Sequence, residues 1–206
     1  MSVLVKICGI RTIDDVKKAI VAGADFIGLN FVSTSKRRVD LQTAKTIVKN
    51  LKGLVQVVGV FQNQPVEYVN KVAQELQLDY VQLHGSESPN YCDLVSTRVI
   101  KVFSLESEFD PKTLSKNLKK YQVGHFLFDR QVQGKGKNLN PKLIRRIANS
   151  YPIFLAGGLN SQNIYEVVNF AKPFAVDVAG GVESKGKIDA DKVRAFIQKA
   201  KAIKYY

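Results

Sequence analysis

Short β-branched apolar runs alternate eight times along this chain with stretches whose apolar residues recur at helical spacing. The apolar runs are Val3–Ile7, Phe26–Phe31, Leu54–Phe61, Tyr80–Leu83, Val99–Phe103, His125–Phe128, Ile153–Leu155 and Ala175–Val178. The helical stretches are Ile13–Ala22, Leu41–Asn50, Val66–Leu76, Pro89–Val95, Pro111–Lys119, Pro141–Asn149, Ser161–Phe170 and Ala190–Ala200. Strands separated by helices pair in parallel, because a parallel neighbour is reached only by a crossover. Strands that are apolar throughout are buried on both faces. Eight such units with no shift in composition predict an α/β chain folded as one parallel eight-stranded (β/α)8 (TIM) barrel over residues 1–206. An open doubly wound sheet is the alternative, but it carries its glycine-rich turn after the first strand. Here that turn is Cys8-Gly9-Ile10-Arg11, and the glycine pairs follow the last two strands instead.

Local signals agree with these helices. Pro89, Pro111 and Pro141 stand at first-turn positions behind Ser88, Asp110 and Asn140 as candidate caps. Thr12 precedes Ile13-Asp14-Asp15, with acids where the helix dipole favours them, and Gly23 is placed to end that helix.

Lys and Arg outnumber Asp and Glu by 31 to 18, a net charge of +13. Such an excess fits nucleic acid, an anionic surface or an anionic small substrate. The bases are spread along the chain and nowhere interleave with aromatics, so no nucleic-acid partner is expected. No apolar run approaches the ~20 residues that span a bilayer, so no membrane partner is expected either. The start, MSVLVKICGIRT, has no long apolar core of a signal peptide, which points to a cytoplasmic chain with its two Cys reduced. The chain is read as a monomer or a homodimer.

In a barrel, chemistry sits at the C-terminal ends of the strands and in the loops that follow. Gly157-Gly158 follows the seventh strand and Gly180-Gly181 the eighth, the usual place for a phosphate site in this architecture. Glycine lets backbone N–H groups face an anion closely; the plainer reading is a pair of tight turns. Cys8 ends the first strand on the same face as Leu4 and Lys6. It is either a general base or nucleophile, or a small buried hydrophobe. Cys92 falls inside a helix and takes the second reading. Asp129 ends the sixth strand beside Phe126-Leu127-Phe128, where an apolar setting would raise its pKa and suit a general acid. A helix cap or a salt bridge with Lys is the competing role. Asp177, inside the eighth strand, is either a substrate ligand or the buried partner of a basic group. Arg37, in the loop Ser35-Lys36-Arg37-Arg38-Val39, can hold a carboxylate bidentately or belong to a basic surface loop. His84 is either a site residue or a core hydrogen-bonder, and His125 is read as structural. No HExxH or CxxC spacing occurs, so no metal site is expected.

Taken in order, these segments resemble the phosphoribosylanthranilate isomerase family. Lys6-Ile7-Cys8-Gly9 resembles its opening KICG, Val58-Gly59-Val60-Phe61 its GVF, and Gln82-Leu83-His84-Gly85 its QLHG. Phe128-Asp129 with Gly134-Lys135-Gly136 resembles LLD…GGTG, Leu155 to Leu159 resembles LAGGL, and Val176-Asp177-Val178 with Gly181-Val182-Glu183 resembles VDVSSGVE. The likeness runs through essentially the whole chain. It implies a (β/α)8 barrel of tryptophan biosynthesis that works without metal or cofactor on a phosphorylated small molecule. It further implies Cys8 as general base, Asp129 as general acid and Arg37 as holder of the anthranilate carboxylate. Gly157, Gly158, Gly180 and Gly181 become the phosphate loops, and Asp177 a substrate contact.

This chain departs from the family pattern in three places. Lys36 replaces the proline before the arginine, and Ala179-Gly180 replaces a Ser-Ser pair, removing two hydroxyl donors from the phosphate loop. The stretch Gln133 to Pro141 lacks the family's aromatic residues, and Lys135 or Lys137 is expected to close over the phosphate. Two other barrel activities compete. Isomerases of the related histidine-pathway substrate use an aspartate where Cys8 stands, and ribulose-phosphate epimerases need metal ligands.

Overall fold

The computed structural model describes residues 2–51, 53–130 and 139–203. Eight strands close into a parallel barrel in sequence order, with the last paired to the first. They are β1 (Leu4–Cys8), β2 (Phe26–Asn30), β3 (Gln56–Phe61), β4 (Tyr80–Leu83), β5 (Val99–Leu105), β6 (His125–Arg130), β7 (Ile153–Leu155) and β8 (Ala175–Val178). The crossovers and the final return carry α1 (Ile13–Val21), α2 (Leu41–Lys49), α3 (Val66–Glu75), α4 (Pro89–Asp93), α5 (Pro111–Leu118), α6 (Pro141–Ala148), α7 (Ile164–Ala171) and α8 (Ala190–Lys201). The expected barrel is the one observed.

The helix starts follow their sequence signals. Thr12 accepts from the Asp15 N–H while Asp15 reaches back to the Thr12 N–H, a reciprocal cap in which the Thr12 side chain contributes about 1 kcal/mol. Ser88, Asp110 and Asn140 cap α4, α5 and α6 ahead of their first-turn prolines. Gly23, with φ +90°, ends α1 in the left-handed region. Expectation and structure differ at α7, which begins at Ile164 rather than Ser161. Asn160 Oδ1 accepts from the Gln162 N–H at 2.8 Å, and Asn163 Oδ1 accepts from the Asn160 N–H at 2.9 Å, so those residues form a side-chain-bonded turn first. A 3-10 turn (Gly180–Val182) and a small antiparallel pair, β9 (Glu183–Ser184) with β10 (Lys187–Ile188), lie between β8 and α8. Strands of two residues leave no hydrophobic period to read.

Alternation along each strand divides the apolar side chains between two cores. One set packs between the barrel and its helices. The other fills the barrel interior: Phe26, Val58, Tyr80, Ile100, Val102, Leu127, Phe154, Ala156 and Ala175. Phe26 meets Phe154 and Tyr80 edge-on, with centroids 5.2 and 5.9 Å apart. His125, read as structural, stacks on Phe174 at 4.7 Å and packs edge-on to Phe154. Two residues further along the same inward faces, the side chains turn polar: Leu4 gives way to Lys6 and Cys8, Tyr80 to Gln82 and His84, Leu127 to Asp129, and Ala175 to Asp177. The apolar plug therefore supports a polar layer at the C-terminal ends of the strands.

Candidate active site

That polar layer floors a cavity of about 500 Å³. Its lining includes all eight residues singled out in the sequence: Cys8, Arg37, Asp129, Gly157, Gly158, Asp177, Gly180 and Gly181. Asn30, Gln82, His84 and Arg130 join them. Lys135 and Lys137, expected to close over the phosphate, lie outside the described residues.

Lys6 is fully buried beneath the cavity. The register pairs it with Asp177, and its Nζ donates to Asp177 Oδ1 at 3.0 Å and to Gln82 Oε1 at 2.9 Å. Burial alone would lower the Lys6 pKa; the charges of Asp177 and of an ionised Cys8 outweigh it and hold the ammonium charged. The two roles left open for Asp177 are therefore compatible: one oxygen pairs with Lys6, and the residue still lines the cavity.

Cys8 lies directly across from Gly28 in the β1–β2 register. A Cβ on residue 28 would sit 2.7 Å from Cys8 Sγ, so the glycine is what leaves the sulfur its place. Burial pushes the Cys8 thiol above its ordinary pKa, and Lys6 and Arg37 offset part of that rise. Cys92 is buried in α4, its pKa pushed up to about 11 by burial, and has no place in the cavity.

Asp129 lies inside β6, which runs on to Arg130, and is 7% exposed. Burial raises its pKa, although His84 and the Arg130 N–H pull the other way. That N–H donates to Asp129 Oδ1 at 2.8 Å, and His84 Nε2 stands 3.8 Å from Oδ2. His84 itself is held below the ordinary imidazole pKa by burial, hence neutral near pH 7. A neutral imidazole leaves the carboxyl its proton more readily than an imidazolium would.

His84 sits on a firmly anchored turn. Glu87, buried, accepts from the Asn63 N–H at 2.8 Å and the Gly85 N–H at 2.9 Å. Lys101 Nζ pairs with Glu87 Oε2 at 2.6 Å and donates to Gly85 O at 2.7 Å. Burial would raise the Glu87 pKa, but the Asn63 N–H and Lys101 outweigh it and keep the group ionised.

Arg37 is not a free surface base. Its Nε and Nη2 donate to the two oxygens of Glu183 at 2.7 and 2.6 Å, a two-point pair that raises the Arg37 pKa and lowers that of Glu183. Nη1 keeps its donors unpartnered among the described residues. Glu183 thus holds the guanidinium by one edge, and the opposite end can meet a ligand carboxylate.

The two glycine loops lie against each other. A Cβ on Gly181 would run into Leu159 O and lie 3.0 Å from its carbon, so only glycine permits the approach. Gly157 and Gly158 have φ of +93° and +76°. The N–H groups of Gly157, Gly158, Gly180 and Gly181 have no acceptor among the described residues. Four backbone donors on one wall of a cavity suit an anion.

Of the site residues, sequence reasoning passed over Gln82, Glu183 and Arg130, and left His84 undecided. Alternation in Gln82-Leu83-His84 was the available signal, because it puts Gln82 and His84 on the inner face together. Glu183 stands in the Gly181-Val182-Glu183 motif, but nothing local shows its role, since its partner is 146 positions away.

A thiol and a buried acid at the mouth of a (β/α)8 barrel, beside backbone N–H groups left unpartnered among the described residues after the last two strands, are the groups an acid–base barrel enzyme would use. The profile of N-(5'phosphoribosyl)anthranilate (PRA) isomerase matches residues 5–199. The chain is 42% identical to N-(5'-phosphoribosyl)anthranilate isomerase of Geobacter metallireducens, over 97% of this chain and 100% of the relative. Its fold superposes on the crystal structure of phosphoribosyl anthranilate isomerase from Thermotoga maritima with TM-score 0.89, at 34% identity over 98% of this chain and 100% of the other. A crystal structure of phosphoribosyl anthranilate isomerase in complex with reduced 1-(o-carboxyphenylamino)-1-deoxyribulose 5-phosphate gives TM-score 0.86 at 33% identity, over 98% of this chain and 100% of that one. The chain belongs to the N-(5'-phosphoribosyl)anthranilate isomerase family.

Proposed function

We propose that this cavity converts N-(5-phosphoribosyl)anthranilate into 1-(o-carboxyphenylamino)-1-deoxyribulose 5-phosphate, the third step from chorismate to tryptophan. The reaction is an Amadori rearrangement, an internal shift of oxidation state from C1′ to C2′ of the sugar. Asp129, protonated, gives its proton to the furanose ring oxygen; the C1′–O bond breaks and an iminium forms at C1′. Cys8, as thiolate, removes the C2′ proton, and that electron pair forms the C1′–C2′ double bond of an enolamine. Tautomerisation returns a proton to C1′ and leaves the ketone at C2′. No external oxidant or cofactor enters the balance.

The observation that carries this reading is the raised Asp129 carboxyl in one cavity with Cys8 and the glycine loops. An acid must reach its protonated form readily to donate a proton, and burial shifts the Asp129 carboxyl in that direction. Arg37, steadied by Glu183, is suited to the anthranilate carboxylate, and the four glycine N–H groups to the phosphate. Asp177, paired with Lys6 through one oxygen and on the wall of the same cavity as Cys8, is suited to a sugar hydroxyl. The reading extends to a cytoplasmic chain that acts as a monomer or homodimer, to be checked by sedimentation.

Loss of substrate fluorescence tests the assignment. Acid and base catalysis each supply roughly 10²–10⁴-fold, so Cys8→Ala and Asp129→Asn should each lower kcat by that order with KM largely kept. A Cys8→Ala protein that turned over at the wild-type rate would remove the thiol from the mechanism.

A further inference from the structure

Arg130 follows Asp129 at the end of β6, where no role was foreseen. Its side chain runs across the first glycine loop. A Cβ on Gly157 would stand 2.6 Å from Arg130 Cγ, and a Cβ on Gly158 would stand 2.6 Å from Arg130 Cζ. These glycines therefore leave a path for the Arg130 stem as well as exposing their own N–H groups. The guanidinium comes to rest over Gly158, on the wall of the cavity. The neighbouring loop carries Ala179-Gly180, so the chain offers no side-chain hydroxyl at those two positions.

We propose that Arg130 is a phosphate-binding residue of this enzyme, its guanidinium completing with the glycine N–H groups a cradle that has no hydroxyl at residues 179 and 180. Its planar fork matches two phosphate oxygens, and its charge offsets the dianion. A lysine at this place would supply the charge without the fork. The inference rests on reading the glycine loops as the phosphate site.

Wild type, Arg130→Met and Arg130→Lys are compared by substrate kinetics, with inorganic phosphate as a competitive inhibitor and its binding also followed by calorimetry. Losing a charge-assisted pair should raise KM and the phosphate inhibition constant together by roughly 10- to 100-fold in Arg130→Met. In that variant kcat should stay within about threefold, and Arg130→Lys should recover part of the loss. An unchanged phosphate constant in Arg130→Met overturns the proposal. A fall in kcat at unchanged KM does so too, and assigns Arg130 to holding Asp129 instead. Wild type serves as the separate control on the activity. Failure to turn over the substrate removes both readings, whereas turnover with phosphate binding insensitive to residue 130 removes this one alone.

Discussion

Gly28→Ala is a one-carbon change that tests whether the place of the Cys8 sulfur governs turnover. The added Cβ would lie 2.7 Å from Cys8 Sγ, 3.2 Å from Cys8 Cα and 3.3 Å from Cys8 Cβ. Non-bonded heavy atoms settle at about 3.5–4 Å, so the sulfur must retreat by about 1 Å or turn to another rotamer. Overpacking of this kind costs about 1–3 kcal/mol, against a total stability of about 5–15 kcal/mol for a domain, so the variant should fold. A displacement of 1 Å at a reacting group costs roughly 100-fold in rate, and kcat should drop by that order. KM should change by less than about threefold, because the change touches neither Arg37 nor the glycine loops. The assay is substrate fluorescence on protein shown to be folded by circular dichroism and thermal melting. In a Cys8→Ala background Gly28→Ala should cost almost nothing further, since both changes remove the same function. A folded Gly28→Ala protein with kcat within about twofold of wild type would refute the argument that the sulfur must sit where it does.

Three further expectations follow from the same site. Lys6→Met should destabilise by about 3–5 kcal/mol in urea unfolding because it strands a buried Asp177, and Lys6→Met with Asp177→Leu should regain most of that; a double variant no better than the single would disprove the pairing. Arg37→Lys loses the two-point contact with Glu183 and with a carboxylate, so KM should rise roughly 10-fold or more while kcat changes less; an unchanged KM removes the carboxylate role. The free pair of Asp129 and Cys8, both raised by burial, holds one proton over most of the neutral range, mainly on the thiol, with the reactive form (protonated Asp129, ionised Cys8) as a minor tautomer. Hence kcat/KM should rise with pH through the raised Asp129 pKa and fall through the raised Cys8 pKa, and a profile that falls across the whole range contradicts it.

Much of this protein is legible from local chemistry. Helix starts at Ser88-Pro89, Asp110-Pro111 and Asn140-Pro141 are set by residues a turn apart, so the sequence alone places them. Eight apolar runs separated by helices determine a parallel sheet, because no other connection reaches the next strand. Period-two alternation likewise puts Cys8, Lys6 and Leu4 on one face, and motif likeness assigns roles to Cys8 and Asp129. What alternation leaves open is which face and which neighbour. Closure of the barrel brings residue 177 beside residue 6, and so turns Asp177 from an isolated carboxylate into the partner of Lys6. Packing also decides that Arg37 is held by Glu183, that Arg130 crosses Gly157 and Gly158, and that burial raises the Asp129 pKa. Each depends on distance through space and on removal of water, and neither is a property of neighbours along the chain. The sequence determined which elements form and which residue types line the strand ends; only the closed barrel decided which charges are buried, and against what.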